Sequence, residues 1–298
     1  MHTIPFDAQI DILKYLNFIQ LLSVQQTNIY FKNLINKYEK HLPHKLFSDI
    51  HLTYFCGSCL NGYTLFDKEP KLYNFELSKQ LLAKWKCAII ESVSLFLIDA
   101  DAIKNSMIAV KLNKSSEGKE EGIRILFPNT PKNIKEMKIA RYLFEQLFTS
   151  SFIFCDFDRI IFNPKMIELL FDENKTEIPL TIHAKVLYLF VNTNNYPMDI
   201  LLKCILWHLH SKKLIVSFFI NEEQTLNILL EILIQGGTNF NTVYCNHQAL
   251  TILKNLIIKL KETSKDVSKF VKHIIYGVAP ENILSKRIAN LKFNVKER

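Results

Sequence analysis

Three groupings along the chain have side-chain types and spacing that chemistry could use. His41-Leu42-Pro43-His44, followed by Cys56-Gly57-Ser58-Cys59, offers two imidazoles and two thiols, the donor set of a tetrahedral zinc site. As a redox pair the same Cys-x-x-Cys would need a strand before it and a helix starting at its first cysteine, whereas Gly57-Ser58 reads as a turn. Chance spacing on a connecting loop is the simpler reading, and no metal is expected. Asp99-Ala100-Asp101 and Asp156-Phe157-Asp158 pair carboxylates that could hold a cation, but each pair falls near a strand end, where solvated acids are usual. His208 and His210, read on one helix, point about 200° apart and cannot chelate together. No nucleophile elbow, Cys-His pair or glycine-rich phosphate loop accompanies them. The expectation is a chain without catalysis or cofactor.

The elements that would position any site are more informative. Leu77 to Val93 repeats Leu81, Leu82, Trp85, Ala88 and Ile89 at helical spacing, with Trp85 as core, and Ser94 to Ile98 is a short buried strand. The polar run Lys114 to Gly122 is a surface loop or linker. From Pro131 helices and strands alternate: a helix over 134–149, a strand over 159–162, and a helix opened by Asn163-Pro164. Strands at 186–191, 215–220 and 242–245 end at Asn192, Asn221 and Asn246, with helices over 198–210, 222–235 and 248–262 and a last strand at 271–276. With Asn163 included, the asparagines recur at 29, 29 and 25 residues. Leu187-x-Leu189-x-x-Asn192 and Val216-x-Phe218-x-x-Asn221 match the strand part of a leucine-rich repeat. Asparagines that simply cap the following helix would equally suit a doubly wound sheet. The repeat-like array is favoured, because no phosphate loop follows any of the strands.

Residues 4–35 carry the densest pattern. Ile4-Pro5 opens it; Ala8, Ile12, Tyr15 and Leu16 share one helical face, Leu21, Leu22 and Val24 form a second apolar segment, and Thr27-Asn28 caps a third helix bearing Phe31, Leu34, Ile35 and Tyr38. Three short helices bury little core, so a partner or the rest of the chain must cover them. In this order the residues resemble an F-box, the helical segment by which proteins dock on the Skp1 adaptor of cullin-based ubiquitin ligases. Later stretches, such as KWKCAIIESVSLFL and IIFNPKMIELLFD, are similar to the large F-box families of nematodes. Ile4 for Leu, Asp7 for Glu and Gln26 at an apolar position depart from the pattern.

The resemblance implies a substrate-recognition subunit of a Skp1-cullin-F-box ligase. Ile4, Pro5, Ile12, Leu16, Leu21, Leu22 and Val24 would bind Skp1, and through it cullin. The alternative is an F-box scaffold that binds Skp1 without assembling a ligase. The fold class expected is mixed α/β: an N-terminal three-helix F-box (1–48), a connecting α/β region (49–122), and an irregular leucine-rich-repeat-like α/β solenoid (123–298). Strand alternation then selects the target surface. With Leu187 and Leu189 facing the core, Tyr188 and Phe190 face the other way, as do Ser217, Phe219 and Tyr244, giving an exposed aromatic stripe for a protein target.

Composition bounds the rest. The 298 residues are 48% hydrophobic and 22% charged, with 22 Phe and only 7 Gly, which favours packed elements over disorder. No secretory signal or membrane span is read, and six cysteines suit reduced thiols, so a cytoplasmic or nuclear location is expected. The net charge of +8 is concentrated after Thr251, where 11 Lys or Arg face 4 Asp or Glu. Lys254, Lys261, Lys265, Lys269 and Lys272 fall between apolar residues as a solvated helical face, so nucleic-acid binding is disfavoured.

Overall fold

The computed structural model describes residues 4–14, 16, 24, 27–38, 42, 45–55, 64–65, 75–98, 107–113, 122–171, 180–192, 196–219, 222–245, 250–263 and 267–276. The zinc or redox candidates His41, His44, Cys56 and Cys59, the pair Asp99 and Asp101, and the loop 114–121 lie outside them.

Helix starts follow their caps. Asn28, Ser78, Asn133 and Asn163 each accept a backbone N–H from the first turn, opening α2 (Ile29–Lys37), α3 (Lys79–Ile90), α4 (Ile134–Phe148) and α5 (Pro164–Leu170). Glu136 returns the favour at α4 by accepting from Lys132 N at 2.7 Å. Asn163 also donates to Ser94 O at 2.8 Å, so this asparagine caps a helix and ties two segments together. Asn221 and Asn246, and the side chain of Asn192, are not among the described residues.

Strands β1 (Lys45–Phe55), β2 (Thr64–Leu65), β4 (Met107–Asn113), β5 (Gly122–Pro128), β6 (Ser150–Asp158), β8 (Ile182–Asn192), β9 (Leu209–Phe219), β10 (Phe240–Cys245) and β11 (His273–Tyr276) form one nine-stranded sheet in the order β11-β10-β9-β8-β6-β1-β4-β5-β2. Pairing is parallel from β11 to β1, antiparallel on both sides of β4, and parallel again between β5 and β2. Short strands β3 (Phe96–Ile98) and β7 (Ile160–Phe162) pair separately. Regions 49–122 and 123–298 both feed the large sheet, and β5 begins at the boundary drawn between them from sequence. The fold is thus a mixed α/β one with a large, mostly parallel sheet.

Helices α3, α4, α5, α6 (Met198–His208), α7 (Glu222–Gln235) and α8 (Leu250–Thr263) send Trp85, Phe144, Ile167, Ile205, Ile232 and Ile257 into one apolar core with one face of the sheet. Trp85 is fully buried, as the sequence reading expects. Lys254 and Lys261 stay exposed on α8, whereas Leu253 and Ile257 are buried. Lys269 and Lys272 depart from that reading: both are outside the helix, Lys269 in a turn and Lys272 immediately before β11, and Lys265 is not among the described residues. No described helix is long and apolar enough to cross a membrane.

One irregularity of the sheet organises its surfaces. Strict alternation would return a side chain to the core every second residue. Instead Phe47, Phe152, Ala184, Ser211 and Phe240 form one core-facing row, and the next is Ile50, Cys155, Leu187, Leu214 and Val243, three residues on in each strand. Five adjacent strands make the same three-residue step in the same place, so their register survives it. At the step two successive residues per strand, such as Lys185-Val186 and Lys212-Lys213, are turned off the core face.

Candidate functional site

The N-terminal helices build an apolar groove. In α1 (Phe6–Lys14), Ile10 and Leu13 lie three apart on one face and meet Leu34, Ile35 and Leu42 in a small core of their own. Tyr30 Oη donates to Gln9 Oε1 at 2.8 Å and Gln9 Nε2 donates to Ile4 O at 2.9 Å, a polar strap joining the two helices. Beside it opens a groove of about 590 Å³ walled by Ile4, Ile12, Leu16, Val24 and Ile29. Its rim is apolar and wet, with Ile12 51% and Ile29 75% exposed. Four of the seven residues expected to dock a partner, Ile4, Ile12, Leu16 and Val24, therefore come together there. Pro5 is exposed just ahead of α1, and Leu21 and Leu22 are not among the described residues. Ile29 and Tyr30 were not anticipated.

The second surface is the sheet face turned away from helices α3 to α8. Tyr188, Phe190, Ser217 and Tyr244 occupy it, as strand alternation predicts, and Tyr188, Ile215 and Tyr244 stand in register on neighbouring strands. Their exposure differs from the expectation. Tyr188 and Tyr244 are only 5% and 8% exposed, so with Phe154 and Ile215 they form a second apolar layer and not an open stripe. Rings on adjacent strands about 4.8 Å apart shield one another. Phe190 and Ser217 are half-buried, and the side chain of Phe219 is not described. The Arg159 guanidinium lies 5.9 Å from the Phe190 ring centre.

Beside this layer His51 Nδ1 approaches Asp156 Oδ2 at 3.5 Å. Asp156 is a mid-strand residue of β6, not the solvated strand-end acid read from sequence. Cys155 precedes it on the opposite face, and burial, with the neighbouring Asp156 and Asp49 charges, holds its thiol well above the usual range. Burial likewise pushes Cys204 and Cys245 up to about 12. These are protonated core thiols with little nucleophilic character. No described group of three or more His, Cys, Asp or Glu side chains is placed to hold a metal.

His208 and His210 do not share a helix. His208 ends α6, whereas His210 is the second residue of β9. His208 Nδ1 lies 2.8 Å from Leu180 O and must donate to it, which leaves the buried Nε2 without a partner among the described residues. Burial lowers its pKa from 6.5, against the opposing pull of the Leu180 carbonyl and Glu168. The unfolded chain therefore binds a proton first as pH falls. This contribution to stability is complete above about pH 6.5 and is lost below it. Urea unfolding between pH 5 and 8 should show the decline (about 1 kcal/mol per pH unit for one proton). His208→Asn should remove that share of the slope, and an unchanged slope in the variant would refute the assignment.

The chain belongs to the family described as a domain of unknown function, DUF8381, whose model matches residues 66–219, more than half of its length. No F-box family is matched. The resemblance to F-box proteins drawn from residues 4–35 and from the later stretches is corrected accordingly: the stretches from KWKCAIIESVSLFL onward fall within DUF8381. A helical order of small apolar residues is a pattern that many short helix pairs share, which is why it misleads. No curated protein and no solved structure matches the chain.

Proposed function

We propose that this chain is a non-catalytic adaptor, whose groove between α1 and α2 takes an amphipathic helix of a partner protein while the α/β region holds a second protein. The observation behind this reading is the exposed wall formed by Ile4, Ile12 and Ile29 on a unit with five buried apolar residues among those described. So small a core gains stability when its apolar surface is covered, and a helix presenting residues three and four apart suits such a groove. The parallel part of the sheet is read here as an irregular leucine-rich-repeat-like array. Strands β6, β8, β9, β10 and β11 lie side by side in chain order with helices on one face, and a doubly wound sheet would reverse that order.

Full-length protein used as bait tests the adaptor. Ile12→Asp combined with Ile29→Asp places two charges on a surface the partner must desolvate, and should weaken capture by roughly a hundredfold or more. Folding should be unaffected, because both positions are exposed. A folded double variant that captures the same partners at the same strength would reject the groove as the docking site. The same experiment shows whether the adaptor serves a ubiquitin ligase: Skp1 recovered with cullin gives that form, Skp1 alone gives a scaffold, and other partners exclude both.

A further inference from the structure

The three-residue step in the sheet leaves a basic cavity that the adaptor reading does not use. It has a volume of about 660 Å³ and lies across the beginnings of β6, β8, β9, β10 and β11. Ile182, Ala184, Leu209 and Ser211 are turned to the helices or buried with them, so His183 and His210, set between them, face the opposite side. Their rings sit 5.1 Å apart. Lys185 and Lys212 follow at the step itself. The flanking pairs Ala184↔Ser211 and Val186↔Lys213 place these two lysines side by side, and Ser211↔Phe240 and Lys213↔Thr242 add Asn241 to the same row. Thr242↔His273 brings Lys272 up beside Asn241. Thr238 and Asn239 close one end of the cavity.

Among the described residues the lining thus holds three lysines and two histidines, and no carboxylate. Like charges side by side on neighbouring strands repel, and a bound anion relieves that repulsion. Lys272 is also drawn from a segment that sequence alone assigns to an ordinary solvated face. We propose that this cavity binds a phosphate monoester, with Lys185, Lys212 and Lys272 supplying the charge and Asn241 and Thr238 supplying neutral hydrogen bonds. A phosphate monoester carries about −1.5 to −2 charges at neutral pH together with three acceptor oxygens, which suits a cavity lined by three lysines. Nucleic acid fits less well. Among the described lining residues Phe152 is the one aromatic carbocycle, and its ring belongs to the core row, so these residues offer no stacking platform for bases. The site is independent of the N-terminal groove and stands or falls separately from the adaptor reading.

The test is titration of the full-length protein at low ionic strength with four probes: inorganic phosphate, a phosphoserine peptide, its unphosphorylated twin, and a single-stranded RNA of similar charge. The phosphorylated probes should bind and the unphosphorylated peptide should not. Lys212→Gln and Lys185→Gln should each weaken binding roughly tenfold, the size of one charge-assisted contact. Lys254→Gln, a neutralisation of an exposed lysine on α8, serves as the control and should leave binding unchanged. Tighter binding of the phosphoserine peptide than of phosphate assigns the site to a phosphorylated protein segment, and equal binding assigns it to small phosphate compounds. Preference for RNA, equal binding of the unphosphorylated peptide, or equal losses in the Lys254→Gln control would each overturn the proposal. All three lysines are exposed, so the variants should fold, and an unchanged thermal midpoint verifies this.

Discussion

Replacing Trp85 by Ala should cost the protein about 5 kcal/mol, a large part of the total stability of a typical domain. The indole is fully buried on α3 between the edge of Phe75, 6.3 Å away, and the body of the core. Truncating a buried Trp removes about 3–5 kcal/mol through lost transfer energy and the cavity left behind. A second loss comes from Trp85 Nε1, which donates to Leu169 O at 2.7 Å. That carbonyl follows the middle of α5, and without the indole it is left without this donor, costing about 1 kcal/mol or more. Trp85→Phe separates the two terms: it refills most of the volume but cannot donate, so it should lose clearly less than the Ala variant. Urea unfolding measures both. A loss under about 1 kcal/mol for Trp85→Ala would show that α3 is not anchored through this residue.

Asn129 is the second position where a single change should be severe. Its side chain imitates a strand. Oδ1 accepts from Phe96 N at 2.9 Å and Nδ2 donates to Phe96 O at 3.0 Å, while the Asn129 carbonyl accepts from Leu95 N at 2.7 Å. Phe96 itself is fully buried among Phe127, Phe144 and Phe162. Asn129→Ala therefore strands one donor and one acceptor in an aromatic core that water does not reach, at about 1–3 kcal/mol each. Asn129→Asp keeps an acceptor for Phe96 N but sets a carboxylate against Phe96 O, and should be no better tolerated. The expected signature is a lower urea midpoint with an unchanged slope, and faster hydrogen exchange at the Phe96 amide. Wild-type protection at Phe96 in the Ala variant would mean that another group takes over the pairing.

Much of this architecture was legible where local chemistry spoke plainly. Ser78, Asn133 and Asn163 mark helix starts by type, and the sequence reading finds α4 within a residue, α3 within three, and the start of α5. β6 was missed because SSFIFCDFD is apolar on both faces, buried by helices on one side and by the Tyr188 layer on the other, so it shows no alternation. The β4–β5 hairpin was hidden by the long polar segment between its strands. His210 was misplaced because α6 passes directly into β9, with no turn residue to punctuate the change. The groove residues could be read from helical periodicity. The basic cavity could not, since its lysines come from β8, β9 and the residue just before β11 and are brought to one side of the sheet only through register.

The shared step also constrains how the chain can change length. Five strands hold their core rows in common only because each carries the same extra residue at the same level. Removing Lys212 alone would restore simple alternation in β9 but slide everything after it by one position against β8 and β10, bringing Lys213 opposite Lys185 and Ile215 opposite Leu187. One inserted residue would do the reverse. Insertions and deletions can therefore be absorbed in the connections but not in these strands, unless all five alter together, so the sheet behaves as a single unit of inheritance although it is assembled from separate segments.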